Sequence, residues 1–260
     1  MRTFADFACQ RIAVFLFSFV AVVAYWHLTV HFLAVPVQFC IFTLSLVMAQ
    51  ANYWLAFATG PGFVRELAVQ FEGAKCFKCK IPRPKRSHHC SSCSECILQM
   101  DHHCPWLGCC VGLKNHGNYF RFLCYTLLCC CLFIEMSLQL LFNVDRHFEF
   151  KTEVAVLLLI CCFVCSVVVV FLSVMAIRTF VNFCDGNTLI ETKERQQTNE
   201  EFPFDLGVWN NLRYFLGAYS ILWPLPQRAS IVAFDELAAK TGHWPPAGVF
   251  FSAEDKHVIH

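Results

Sequence analysis

Between residues 76 and 110 the chain gathers side chains able to hold a metal or attack a carbonyl. In order they are Cys76-x2-Cys79, then His88-His89-Cys90-x2-Cys93-x2-Cys96, then Asp101-His102-His103-Cys104, and finally Cys109-Cys110. Thiolate and imidazole in closely spaced pairs suit tetrahedral Zn²⁺, because two ligands two residues apart on a tight turn reach one ion. One such pair is weak evidence; eight of the chain's 18 cysteines in a single array is strong evidence. A loop with few large aliphatic residues also buries little apolar surface, so metal cross-links would stabilise it. The competing reading, unrelated thiols and surface histidines, leaves the regular spacing without a cause.

The elements that must position these residues are apolar. Hydrophobic residues make up 57% of the 260 and charged residues 15%, against a usual ~45–50% and ~25%. This composition predicts a membrane protein, and a net charge of +1 excludes a globally basic nucleic-acid binder. Ile12 to Val64 contains no Asp, Glu, Lys or Arg, too long a run for one helix that needs about 20 residues to cross ~30 Å. It divides into spans at Arg11–Leu33 and Val37–Ala58, the second ended by Gly60-Pro61-Gly62. Further spans are read at Phe122–Val144, containing Glu135, and at Val154–Ile177. The apolar start runs on past spanning length without a polar break, unlike the short apolar region of a secretory signal peptide, so the first span is read as an uncleaved anchor.

The expected fold class is therefore an all-α integral membrane protein. It has four transmembrane helices and a cytosolic zinc-stabilised, cysteine-rich loop between the second and third. The units are residues 1–64 (two spans), 65–121 (the loop), 122–177 (two spans) and 178–260 (a cytosolic tail). Eighteen of the twenty basic residues fall on the side shared by both termini and the loop, which the positive-inside rule makes cytosolic. The reducing cytosol keeps the thiols free for metal. Aromatics between Phe204 and Trp223 predict either an amphipathic element lying on the membrane or a packing segment. Glu135 should face the bundle or a polar partner.

The string Cys-x2-Cys … His-Cys-x2-Cys-x2-Cys-x4-Asp-His-His-Cys-x5-Cys resembles the signature of the DHHC protein S-acyltransferases (palmitoyltransferases), and its place between the second and third of four spans is similar too. The resemblance implies two interleaved Cys₃His zinc sites. The first would use Cys76, Cys79, His89 and Cys96, and the second Cys90, Cys93, His103 and Cys110. Local alternatives are His88 for His89 and Cys109 for Cys110; spacing to Cys90 and the family's five-residue gap after Cys104 favour His89 and Cys110. With four protein ligands each, both zincs would be structural.

That assignment leaves Asp101, His102 and Cys104. A free thiol with pKa near ~8.5 is only slightly ionised at neutral pH, and a neighbouring imidazole can take its proton. His102 would be the general base, and Asp101 would fix its tautomer and stabilise the imidazolium. The resemblance implies that Cys104 takes a fatty acyl group from acyl-coenzyme A and passes it to cysteines of client proteins at the bilayer surface. No nucleic-acid partner is expected. The cations Lys80, Arg83, Lys85 and Arg86, with Lys75 and Lys78, suit coenzyme A phosphates; anionic headgroups or topology alone are the alternatives. A non-catalytic membrane zinc adaptor, in which Cys104 and His102 are spare ligands, is the runner-up, and a transporter is a third class. The expected location is an endomembrane, Golgi or endoplasmic reticulum first and plasma membrane second.

Departures from the family pattern are Gly60-Pro61-Gly62 in place of Asp-Pro-Gly, and Thr188-Leu189-Ile190-Glu191 in place of Thr-Thr-x-Glu. Gly108-Cys109 stands where amides are common, and the tail element Asn211 to Gly217 is similar. A sixteen-carbon chain reaching about 20 Å from Cys104 covers ~13 helical residues, which points to Cys129–Cys131 as a slot for its end.

Overall fold

The computed structural model describes residues 36–67, 74–142, 152–198, 204–217 and 220–227. Helix α1 (Pro36–Thr59) contains the second predicted span and begins at a proline, whose missing N–H is no loss in a first turn. It stops at Gly60, which takes φ +68° and whose N–H returns to the Ala56 carbonyl at 3.2 Å.

Helix α2 (His116–Phe142) starts six residues before the predicted third span, and α3 (Thr152–Cys184) runs seven beyond the predicted fourth. Both extensions carry polar residues, His116, Asn118 and Arg121 on α2 and Thr179 and Asn182 on α3, which are buried against protein. A search for apolar runs could not include them. Among the described residues, three helices are long and apolar enough to cross a membrane: Val37–Thr59, His116–Phe142 and Thr152–Cys184. The first predicted span, Arg11–Leu33, and most of the short far-side loop lie outside the described residues.

Helix α2 packs against both α1 and α3. Far from the loop, the core contains Phe42, Cys129, Phe133, Leu158, Cys162 and Cys165. Near the loop it contains Tyr53, Ala56, Leu123, Leu172 and Ala176, together with Cys104 and Leu107 from the loop itself. Other large apolar residues of α3, such as Phe163 and Val170, are exposed, as lipid-facing residues would be. The polar partner of Glu135 is on another span: Gln38 Nε2 donates to Glu135 Oε1 at 2.8 Å, and Gln139 Nε2 does so at 3.1 Å.

The loop corrects the all-α expectation. It contains two antiparallel hairpins, β1 (His88–Cys90) with β2 (Glu95–Ile97) and β3 (His102–Cys104) with β4 (Cys109–Val111). Strands of three residues are too short to show a period of two in the sequence. After α3 come α4 (Leu189–Thr198) and α5 (Val208–Leu216). Helix α5 is a packing segment on one face: Leu212, Tyr214, Phe215 and Leu216 are buried in one cluster with Cys96, Leu98, Leu113 and Phe183. The Phe183 and Phe215 rings stack at 4.2 Å. Its other face leaves Val208 and Trp209 exposed.

Candidate active site and metal centres

Each hairpin sets one ligand opposite another. His89 faces Cys96 across β1–β2, and His103 faces Cys110 across β3–β4. The turns at Cys76–Cys79 and Cys90–Cys93 supply the remaining thiols, and the N–H groups of Cys79 and Cys93 point back at Cys76 and Cys90 sulfur, each at 3.4 Å. Two groups result, Cys76–Cys79–His89–Cys96 and Cys90–Cys93–His103–Cys110, with all ligand atoms in each within 4.8 Å of one another.

Separations in the second group fit a metal-sized tetrahedron. They are 3.4 to 3.6 Å from the thiols to His103 Nδ1 and 3.5 Å between Cys93 and Cys110. Bonds of ~2.3 Å to sulfur and ~2.0–2.1 Å to nitrogen give tetrahedral edges of about 3.6–3.8 Å. In the first group, His89 Nδ1 lies 3.2 Å from Cys79 and 3.9 Å from Cys96 sulfur. The two alternatives sit elsewhere: His88 faces Glu194 at 3.9 Å, and Cys109 sulfur lies 3.9 Å from Asn115 Nδ2.

Successive side chains of a strand point to opposite faces. On β3 this sends His103 to Cys90, Cys93 and Cys110, while His102 and Cys104 share the other face, outside both groups. His102 Nδ1 donates to Asp101 Oδ2 at 2.7 Å, and Cys104 adjoins the same imidazole, whose remaining nitrogen is Nε2. Burial alone would lower the His102 pKa; the Asp101 hydrogen bond and the adjoining Cys104 outweigh it and raise it to about 9. Burial would raise the Asp101 carboxyl, but the His102 hydrogen bond, nearby imidazoles and the Leu189 N–H hold it below its ordinary value. Tyr119 sets its ring edgewise on His102 at 5.2 Å between centroids. Cys104 is buried at the top of the apolar cluster formed by the three long helices.

A family model described as DHHC palmitoyltransferase matches residues 69–198, half of the chain. The chain belongs to the DHHC palmitoyltransferase family. Among curated relatives, Palmitoyltransferase PFA4 of Yarrowia lipolytica is 30% identical over 250 residues, covering 84% of this chain and 72% of that protein. Palmitoyltransferase PFA3 of Candida albicans is 32% identical over 181 residues, covering 61% of this chain and 48% of its own. Palmitoyltransferase ZDHHC16A of Danio rerio is 44% identical over 99 residues, covering 38% and 25%. The chain thus matches about half the length of the Candida protein and a quarter of the Danio one.

Two departures from the family pattern have structural substitutes. Position 189 lacks a hydroxyl, yet the Leu189 backbone N–H donates to Asp101 Oδ1 at 2.7 Å. The Gly60-Pro61-Gly62 turn keeps positive φ at both glycines, and the Pro61 and Gly62 carbonyls accept from Lys114 N–H at 3.2 Å and Leu98 N–H at 3.0 Å.

Leu189 is held in place by a capping box at the start of α4. Thr188 N–H donates to Glu191 Oε2 at 2.8 Å, and Glu191 N–H donates to Thr188 Oγ1 at 3.3 Å. Glu191 also receives two hydrogen bonds from Arg86, at 2.5 and 2.7 Å, and Arg86 Nη2 reaches the Gly186 carbonyl at 2.7 Å. The two side chains are 2% and 6% exposed. This corrects the reading of Arg86 as a coenzyme A contact, because its guanidinium is enclosed and committed to Glu191. Lys80 and Lys85 are exposed and Arg83 is half-buried.

Further back, Asn211 Nδ2 donates to the Cys184 carbonyl at 2.8 Å and to Asp205 Oδ1 at 2.7 Å, while its Oδ1 accepts the Leu206 N–H at 2.9 Å. Sequence reasoning missed the Arg86–Glu191 pair and Tyr119. An acid opposite an arginine 105 residues away leaves no local signal, and an aromatic at the head of an apolar helix reads as part of that helix.

Proposed function

We propose that the chain is a protein S-acyltransferase that moves a long acyl group such as palmitoyl from acyl-coenzyme A to client cysteines. The observation that carries this is Cys104: it stands outside both Cys₃His groups, adjoins the Asp101-supported His102, and abuts the apolar bundle. In the first half-reaction His102 Nε2 takes the Cys104 proton, and the sulfur attacks the thioester carbonyl carbon. The bond to coenzyme A sulfur breaks, and His102 returns the proton to that leaving thiolate. In the second half-reaction a client thiol gives its proton to His102 and attacks the acyl carbon. Cys104 then leaves and is reprotonated. One thioester replaces another, so position matters more than bond energy.

Zinc in the two groups would cross-link the loop, with no open coordination position for water or substrate. Lys80, Arg83 and Lys85 are placed here as partners for coenzyme A phosphates. The remaining proposals are a fourth span at Arg11–Leu33, the loop and both termini in the cytosol, an endomembrane location, and clients with membrane-proximal cysteines. The charge asymmetry supports the orientation.

The test is incubation of purified protein with labelled palmitoyl-coenzyme A followed by hydroxylamine. Label should be acquired and then released, and Cys104→Ala should acquire none while keeping its zinc. Full labelling of Cys104→Ala would overturn the assignment.

A further inference from the structure

The β3–β4 hairpin sets Cys104 directly opposite Cys109, one step along from the His103–Cys110 pair of the second Cys₃His group. Residues paired in this way carry their side chains on one face, so Cys104 and Cys109 share the face turned away from that group. Both belong to the same buried cluster, each is 6% exposed, and both are free thiols. Cα atoms directly opposite on antiparallel strands lie ~4.5–5.5 Å apart, inside the ~4.4–6.8 Å that a disulfide spans.

The backbone on either side is fixed. Gly108 closes the turn at φ +68°, and its N–H donates to the Cys104 carbonyl at 3.0 Å. Asn115 Nδ2 donates to the Cys110 carbonyl at 3.1 Å and the Ala56 carbonyl at 3.2 Å, and lies 3.9 Å from Cys109 sulfur. Cys110, the next thiol along β4, is turned to His103 Nδ1 at 3.5 Å and does not compete for Cys104. His102 adjoins Cys104 and is placed to accept its proton, so Cys104 is the sulfur that an electrophile meets first. An amide at position 109, common in the family pattern, has no sulfur to offer in reply.

We propose that Cys109 is a resolving thiol that captures an oxidised Cys104 as a disulfide across the β3–β4 hairpin, with a peroxide as the oxidant. The Cys104 sulfur attacks one peroxide oxygen and the O–O bond breaks. The departing hydroxide takes the proton that Cys104 gave to His102 and leaves as water, so Cys104 becomes a sulfenic acid as the peroxide is reduced. Cys109 sulfur then attacks Cys104 sulfur, the S–O bond breaks, and the hydroxyl leaves with the Cys109 proton as a second water. A dithiol reductant returns both thiols and is itself oxidised to a disulfide. The captured Cys104 is closed to acyl groups and is spared the further, irreversible step to sulfinic acid. The inference goes beyond the proposed acyl transfer and takes from it only a reactive Cys104.

The test treats the full chain in detergent with hydrogen peroxide, alkylates the remaining thiols, and locates the unalkylated cysteines by mass spectrometry, a readout that needs no acyl transfer. Cys104 and Cys109 should be found joined, and dithiothreitol should free them. Labelling by palmitoyl-coenzyme A should be lost with peroxide and recover to within about twofold on reduction, because a disulfide is reversible where a sulfinic acid is not. Cys109→Ser and Cys109→Asn should label normally before treatment, then lose labelling without recovery and carry Cys104 as the sulfinic acid. Cys104 joined to a different cysteine, or Cys104 left as a free thiol while members of the Cys₃His groups are oxidised, overturns the proposal. So does recovery in both variants equal to that of the unaltered chain. Absence of labelling before treatment, with the 104–109 bond still formed, would instead count against acyl transfer and leave the resolving role standing.

Discussion

The backbone N–H of Leu189 and the carboxylate of Asp101 meet at 2.7 Å, joining the start of α4 to the group that orients His102. Because the donor is main chain, the side chain at 189 is free to differ from the family pattern. Leu189→Ala should leave autoacylation within about twofold, whereas Leu189→Pro should lower it by about tenfold, the effect of ~1.4 kcal/mol. Proline is tolerated at a first helical position, so the helix should persist while the donor is lost. Single-turnover acylation rates with circular dichroism check both. Equal rates in the two variants would show that this hydrogen bond does not support the reaction.

Breaking the enclosed Arg86–Glu191 pair should be severe, since removing one partner of a buried ion pair costs about 3–5 kcal/mol. Arg86→Met and Glu191→Gln should each lower the unfolding temperature in detergent and abolish acylation. Arg86→Lys should not rescue, because an ammonium cannot make the two-pronged contact. Lys80→Ala and Lys85→Ala should leave unfolding unchanged and raise KM for acyl-coenzyme A, a split that separates support of the fold from binding.

Metal content should follow the two groups of ligands. Intact protein should hold about two zinc ions, with Cys93→Ser losing zinc and His102→Ala, His88→Ala and Cys109→Ser keeping it. Elemental analysis decides, and loss of one zinc from His102→Ala would exchange the roles of His102 and His103. Chelation should unfold the loop and stop acylation together.

Of the three adjacent cysteines on α2, Cys129 is buried, Cys130 partly buried and Cys131 exposed. Cys129 is buried in the same cluster as Phe42, Phe133 and Leu158, with Cys130 packed against it, whereas Cys131 faces outward, so an acyl chain running down from Cys104 would end nearest Cys129. Cys129→Phe should shift preference toward shorter acyl-coenzyme A donors, and Cys131→Phe should not. A series of chain lengths assayed on both variants is the measurement.

The grouping of the eight Cys and His residues and the Asp101–His102 contact were legible because their spacing is local and chemically restrictive. The apolar cores of three spans were legible because hydrocarbon tolerates few charges. Their ends were not: His116 to Arg121 is polar in sequence, and those side chains are satisfied or enclosed by protein at the mouth of the loop. Arg86 misled because a basic run looks the same whether its members meet solvent or a distant acid. The tail was ambiguous because α5 buries one aromatic face against the loop and leaves another outward.

The alternation along β3 bears on how such a sequence can vary. Two instructions are interleaved in His102-His103-Cys104, the odd-numbered residue completing a Cys₃His group able to hold a metal and the even-numbered ones forming the proposed reactive pair. Inserting or deleting one residue here would slide the strand by a single step and exchange its faces. The proposed nucleophile would be delivered to the Cys₃His group and a member of that group to the opposite face, and both sites would be lost at once. Substitutions can alter the two instructions separately, but changes in length cannot, so this stretch should be rigid in length.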